Sequence, residues 1–164
     1  MRQRGFTLIE LIMVIVILGV LAVFASSRIF QNSDFYARGL HDETLALFRY
    51  AQKAAIAQRR MVCVTFDTVS NPNTAFLTTE NPTPTSSPSP AINCNVNLVG
   101  PKGESPATVT ARVGTAYGGA TSFIFDGLGQ PVSTSRTPLT SNITVSVTGA
   151  ADITVEAATG YVHD

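Results

Sequence analysis

The stretch Gly5-Phe6-Thr7-Leu8-Ile9-Glu10, with the apolar run that continues from Leu11 to Ala25, decides how the rest of the chain is read. At about 1.5 Å per residue, the roughly 20 residues from Phe6 to Ala25 make a helix of about 30 Å, the thickness of a bilayer's hydrocarbon core. Glu10 stands one turn inside this run. A carboxylate there costs about 2.5 to 3.5 kcal/mol on insertion scales, and an unspecialised anchor has no use for it. Arg2 and Arg4 precede the run, so two ordinary readings are open. One is a secretory signal cut after Val23-Phe24-Ala25 and before Ser26; the other is an uncut membrane anchor. Neither accounts for Glu10 or for the Gly5-Phe6 junction between the basic leader and the apolar run.

Gly5-Phe6-Thr7-Leu8-Ile9-Glu10, behind positive charge and ahead of a full-length apolar helix, closely resembles the type III signal of type IV pilins and type II secretion pseudopilins. The resemblance implies a leader, residues 1–5, removed by a prepilin peptidase that cuts between Gly5 and Phe6. It implies N-methylation of Phe6 and a role for Glu10 in assembly. A physical account fits these roles: the new amine on Phe6 is a positive charge near the apolar zone, and pairing it with Glu10 offsets much of the cost of burying either alone. In a filament, Glu10 of one subunit facing the Phe6 amine of a neighbour would set the axial register between packed helices. The implied partners are other pilin or pseudopilin subunits through the N-terminal helix, the prepilin peptidase, the inner-membrane assembly platform and the membrane itself.

A chain of 164 residues leaves room for one domain beside the apolar segment. Arg2 and Arg4 keep the amino terminus cytoplasmic by the positive-inside rule. The expected location is the bacterial inner membrane, single-pass with a periplasmic head, and afterwards a pilus or pseudopilus. Net charge is zero but unevenly spread: Arg28, Arg38, Arg49, Lys53, Arg59 and Arg60 outnumber Asp34, Asp42 and Glu43, whereas beyond Met61 three basic residues face seven acidic ones. An acidic head disfavours nucleic acid as a partner. Cys63 and Cys94 would lie in an oxidising compartment, where one disulfide is chemically allowed. The expected pairing is Cys63 with Cys94; the alternative is two small buried residues that never meet.

Before Pro72 there is no proline, so nothing forbids one helix from Phe6 to about Arg60. Residues 6–27 read as its transmembrane or filament-core part and 28–60 as its amphipathic part. Leu40, Thr44, Leu47, Phe48, Ala51 and Ala55 fall on one face at helical spacing, with Arg38, Asp42, Arg49, Lys53 and Arg60 opposite. Arg38 and Asp42, one turn apart, are placed to pair. After Arg60 the period becomes two. Strands are predicted over 61–66, 75–79, 93–99, 108–113, 122–125, 142–148 and 153–157, with a last short one after Thr159-Gly160. The glycine-rich stretch 114–119 reads as a turn, and Asp126-Gly127-Leu128-Gly129-Gln130-Pro131 as a tight turn with positive φ. Residues 81–90, rich in Pro, Ser and Thr, read as an exposed loop in the head, residues 61–164.

Phe123-Ile124-Phe125 leading into Asp126–Pro131, then Ile143-Thr144-Val145, Ile153-Thr154-Val155 and Thr159-Gly160-Tyr161-Val162, is similar to the carboxy-terminal region of H-type (GspH/FimT) minor pilins and pseudopilins. Ser33 to Arg38 and Thr44 to Arg59 further resemble the minor pilins of the mannose-sensitive haemagglutinin pilus. The implied fold is α+β, a long N-terminal helix packed on an antiparallel β-sheet head. Many pilins carry a proline near the position of Ser27; this chain does not, which leaves the bend of the helix open.

Groups for catalysis are sparse. His41 and His163 have no Cys or carboxylate at metal-ligand spacing and read as surface residues. No nucleophile elbow, serine-lysine pattern, phosphate-binding loop or calcium loop occurs. The expectation is a structural subunit without catalytic residues, metal or cofactor, which inserts in the inner membrane and is built into, or primes, a type IV pilus or type II secretion pseudopilus. The alternatives are a DNA-binding minor pilin for uptake, or an adhesive or secretion-specific tip subunit using the 81–90 loop.

Overall fold

A computed structural model describes residues 6–29, 32–81, 92–119 and 122–164, the side chains of 23–29 and 32 excepted. The chain divides into two compact units, Met1–Asn32 and Ser33–Asp164. The predicted leader and nearly all of the Pro/Ser/Thr loop lie outside the described residues, as does any continuity of the helix through 30–31.

The first unit is helix α1, Leu8–Ile29, whose described apolar side chains are exposed on every face. Among the described residues no helix is long and apolar enough to cross a membrane. The described side chains of α1 stop at Ala22, inside the apolar run that the sequence carries on to Ala25.

The second unit is built on α2, Asn32–Gln58. It ends short of the expected Arg60 because Arg59 turns left-handed at φ 50° and the Arg60 N–H reaches back to the Ala55 carbonyl at 3.2 Å. These are the marks of a Schellman-type stop. Among the described residues ten strands follow: β1 Val62–Asp67, β2 Thr74–Glu80, β3 Cys94–Asn97, β4 Thr108–Thr110, β5 Tyr117–Gly118, β6 Phe123–Phe125, β7 Pro131–Val132, β8 Ile143–Val147, β9 Ile153–Val155 and β10 Val162–His163. The larger sheet runs β3-β2-β1-β6-β7, with β3 and β4 sharing the outer edge of β2. The smaller runs β10-β9-β8-β5, and all pairings are antiparallel.

The apolar face read from the sequence is the buried one. Leu40, Leu47, Phe48, Ala51 and Ala55 pack on Val62, Val64, Leu77, Phe123 and Phe125 of one sheet and Val145, Val155 and Val162 of the other. The alanines keep the helix close to the strands, and Phe48 meets Phe123 and Phe66 edge-on at 5.4 and 6.0 Å. Alternation puts Cys63 and Ile124, partners in register, on the far face of the larger sheet. There Val132, Met61, Ile92 and Cys94 form a second small cluster with them.

Four expectations are corrected. The glycine-rich stretch is not only a turn: Tyr117-Gly118 is an edge strand, and Tyr117 is buried. His41 is no surface residue, being 6% exposed, and its Nε2 has no hydrogen-bond partner among the described residues. Asp42 does not pair with Arg38; its carboxylate lies 3.1 Å from His41 Nδ1, the neighbour that the helix turns toward the core. Arg49, expected among the solvated charges, donates through Nε and Nη2 to the Val162 carbonyl at 3.2 and 3.1 Å, tying the last strand to α2.

Candidate functional site

The residues singled out for processing and assembly begin the first unit. Gly5 lies outside the described residues. Phe6 and Thr7 precede the helix, and Glu10 sits in its first turn, exposed. Thr7 is the N-cap: its carbonyl accepts from the N–H groups of Glu10 and Leu11 at 3.1 and 3.2 Å, and its hydroxyl takes a further, longer bond from Glu10 N–H at 3.4 Å. The spacing Thr7-Leu8-Ile9-Glu10 is that of a capping box, a helix-start device. The carboxylate makes no bond or ion pair among the described residues, so it stands free at the positive end of the helix.

In the head the two cysteines meet. Cys63 of β1 and Cys94 of β3 form a disulfide with Cα atoms 6.2 Å apart, beside the irregularity at Thr79/Glu80. Around it, Arg60 Nη2 donates to the Glu80 carbonyl, and Arg136 pairs with the Glu80 carboxylate. Glu80 at the end of β2 and Cys94 at the start of β3 are therefore both held in place.

Two motifs far apart in sequence come together under the C-terminal half of α2. Gln52 Nε2 donates to the carbonyls of Gly129 and Thr159 at 3.1 and 3.2 Å, while Gln130 Nε2 reaches the Ala158 carbonyl at 2.9 Å. Asp126 Oδ1 holds the turn by accepting from Leu128 and Gln130 N–H. Gly129 and Gly160 adopt φ of 85° and 69°, and a Cβ on Gly160 would lie 1.9 Å from the Gly129 carbonyl oxygen. No sequence signal pointed to Gln52, since a glutamine on the flank of an amphipathic helix looks like any solvated residue. His163 lies on the Tyr161 ring at 5.3 Å and 3.8 Å from the Glu156 carboxylate, in no cluster with His41.

Comparison with known proteins bears on the amino terminus and on the chain as a whole. The family described as the prokaryotic N-terminal methylation motif matches residues 1–26. The chain is also 36% identical over 98 residues to the type IV narrow pilus major component PilA5 of Thermus thermophilus, an alignment covering 59% of this chain and 83% of that protein. The chain belongs to the type IV pilin family. No solved structure matches this pilin. Its helix and antiparallel sheets agree with the α+β fold expected from the resemblance.

Proposed function

We propose that this pilin is made as a precursor, inserted in the inner membrane through residues 6–27, cut between Gly5 and Phe6, methylated on Phe6 and then moved into the core of a filament. The observation that carries the reading is the placement of Glu10: a free carboxylate in the first turn of an apolar helix, four residues beyond the residue that would bear the new amine. A charge that costs about 2.5 to 3.5 kcal/mol in lipid is kept where a neighbour's amine offsets it. The role is structural, with α1 as the assembling surface and the disulfide-bonded head carried outward. The finer reading, a minor subunit that primes assembly, rests on the similarity of residues 123–162 to the H-type group; the Thermus relative is by name a major component.

Intact-mass and amino-terminal analysis of the protein from its native membrane tests the pathway. A chain starting at methylated Phe6 is expected. A chain starting at Ser26 means an ordinary secreted protein and overturns the filament role. The subunit's stoichiometry in sheared filaments separates the minor from the major reading.

A further inference from the structure

The N-terminal end of α2 carries apolar surface that packing in the head leaves uncovered. Phe35 is 75% exposed, and its ring meets that of Tyr36 edge-on at 6.3 Å. The Arg112 guanidinium sits 5.7 Å over the Tyr36 ring. Beside it Val113 is 93% exposed. That exposure is built in, because the turn is locked on both sides. Thr115 Oγ1 accepts from Arg112 N–H at 3.0 Å, Thr115 N–H donates to the Arg112 carbonyl at 2.9 Å, and Gly114 takes φ of 85° against Ser33. Phe35 and Val113 thus stand exposed on either side of the Tyr36–Arg112 contact, grouped rather than scattered singly, and such grouping marks an interaction surface.

We propose that this end of the head, Phe35, Tyr36, Arg112 and Val113, docks on the surface of an anionic phospholipid bilayer while the subunit is stored before assembly. The inference rests on the membrane-anchored reading above. Covalent reach supports it: Phe35 follows Ala25, the end of the apolar run, by a tether that spans about 35 Å fully extended and about 15 Å as helix. The patch is therefore within reach of the headgroup zone. Aromatic rings and arginine are the side chains that suit that zone, the rings by their amphipathic character and the guanidinium by its fit to phosphate. Charge is complementary as well. Residues 33–38 and 112–115 hold Arg38 and Arg112 against Asp34, a local positive excess on an otherwise acidic head. Each arginine near an anionic surface is worth about a fivefold change in partition.

The chain has no tryptophan, so single Trp substitutions report their own surroundings. The full-length protein is reconstituted in phosphatidylethanolamine–phosphatidylglycerol vesicles with and without brominated chains, as Phe35→Trp, Val113→Trp, Ile15→Trp in α1, and Leu128→Trp. Leu128 is exposed and lies beside the C-terminal half of α2, roughly 30 Å along the helix from Phe35. Expected are blue-shifted emission and bromine quenching for the Phe35, Val113 and Ile15 variants and none for Leu128→Trp, with Arg112→Glu reducing the quenching of Val113→Trp. Quenching of Ile15→Trp alone overturns the docking and leaves the anchor standing. No quenching of Ile15→Trp overturns both. A blue shift at Phe35→Trp without quenching means that protein, such as a second copy, covers the patch, and equal quenching of Leu128→Trp means unspecific adsorption; either overturns the proposal.

Discussion

The Tyr117 phenol and Thr44 Oγ1 lie 2.8 Å apart inside the core, and Thr44 spends its own proton on the Leu40 carbonyl at 2.6 Å, so Tyr117 is the donor. Burial pushes the Tyr117 phenol up to about 12; the Glu43 charge adds to the rise, and the Thr44 hydroxyl, which can turn its proton to the phenolate once it forms, opposes it. Between its ordinary value near 10 and that level, the folded chain keeps a proton that the unfolded chain has lost. The folded state then binds more protons, and stability falls as pH rises through this window. The loss is on the order of 2 to 3 kcal/mol. Tyr117→Phe should cost about 1 kcal/mol at neutral pH and flatten the alkaline slope. Denaturation midpoints at about pH 9 and about pH 12 measure it; an equal alkaline loss in both proteins would place the titrating group elsewhere.

The Gln52 contact makes a second prediction. Gly160→Ala forces a Cβ against the Gly129 carbonyl at a backbone angle that alanine rarely adopts, and should cost about 2 kcal/mol or more. Gln52→Ala removes the side-chain donor to the Gly129 and Thr159 carbonyls, at about 1 to 3 kcal/mol. The two changes act on one junction, so the double variant should lose less than the sum in thermal unfolding. Full additivity would mean that the turn and the last loop are held independently.

Reducing the Cys63–Cys94 bridge, whose ends are 31 positions apart in sequence, should lower stability by about 3 to 4 kcal/mol on the loop-entropy account. The bridge also covers Ile124 on the far face of the larger sheet, where no helix packs among the described residues. Thermal midpoints with and without reductant give the value. An unchanged midpoint would show that Met61, Ile92 and Val132 hold that face without it.

Local pattern made much of this fold legible. The 3.6-residue spacing of Leu40, Thr44, Leu47, Phe48, Ala51 and Ala55 named the buried face, and alternation in Val62, Val64 and Phe66 named the first strand. What escaped were contacts between residues distant in sequence. Tyr117 looked like part of a glycine turn because its partners, Val147 in register and Thr44 in the core, lie about 30 and 73 positions away. His41 looked solvated because the Gly149-Ala150-Ala151 connection that lies beside it comes more than 100 positions later in the chain. At the candidate site, the residue types were legible and the N-cap was not, since Thr7 acts through its backbone carbonyl as well as its hydroxyl.

That N-cap lets the charge of Glu10 be separated from the start of the helix. The bonds from Glu10 to Thr7 are made by the Glu10 backbone N–H, so both Glu10→Ala and Glu10→Gln keep them; the first removes the carboxylate group and the second only its charge. Thr7→Ala does the reverse: it takes the capping hydroxyl, worth about 0.5 to 2 kcal/mol of helix start, and leaves the charge. If Glu10 neutralises a neighbour's amine, both Glu10 variants should be cut and methylated normally yet enter filaments poorly, with Thr7→Ala less affected. Quantifying processed protein in membranes against sheared filaments reads both steps. Glu10→Gln entering filaments as well as wild type would remove the charge from the mechanism, because glutamine preserves size and hydrogen bonding while lacking the charge that an amine would seek. A defect confined to Thr7→Ala would transfer the role from the carboxylate to the helix start.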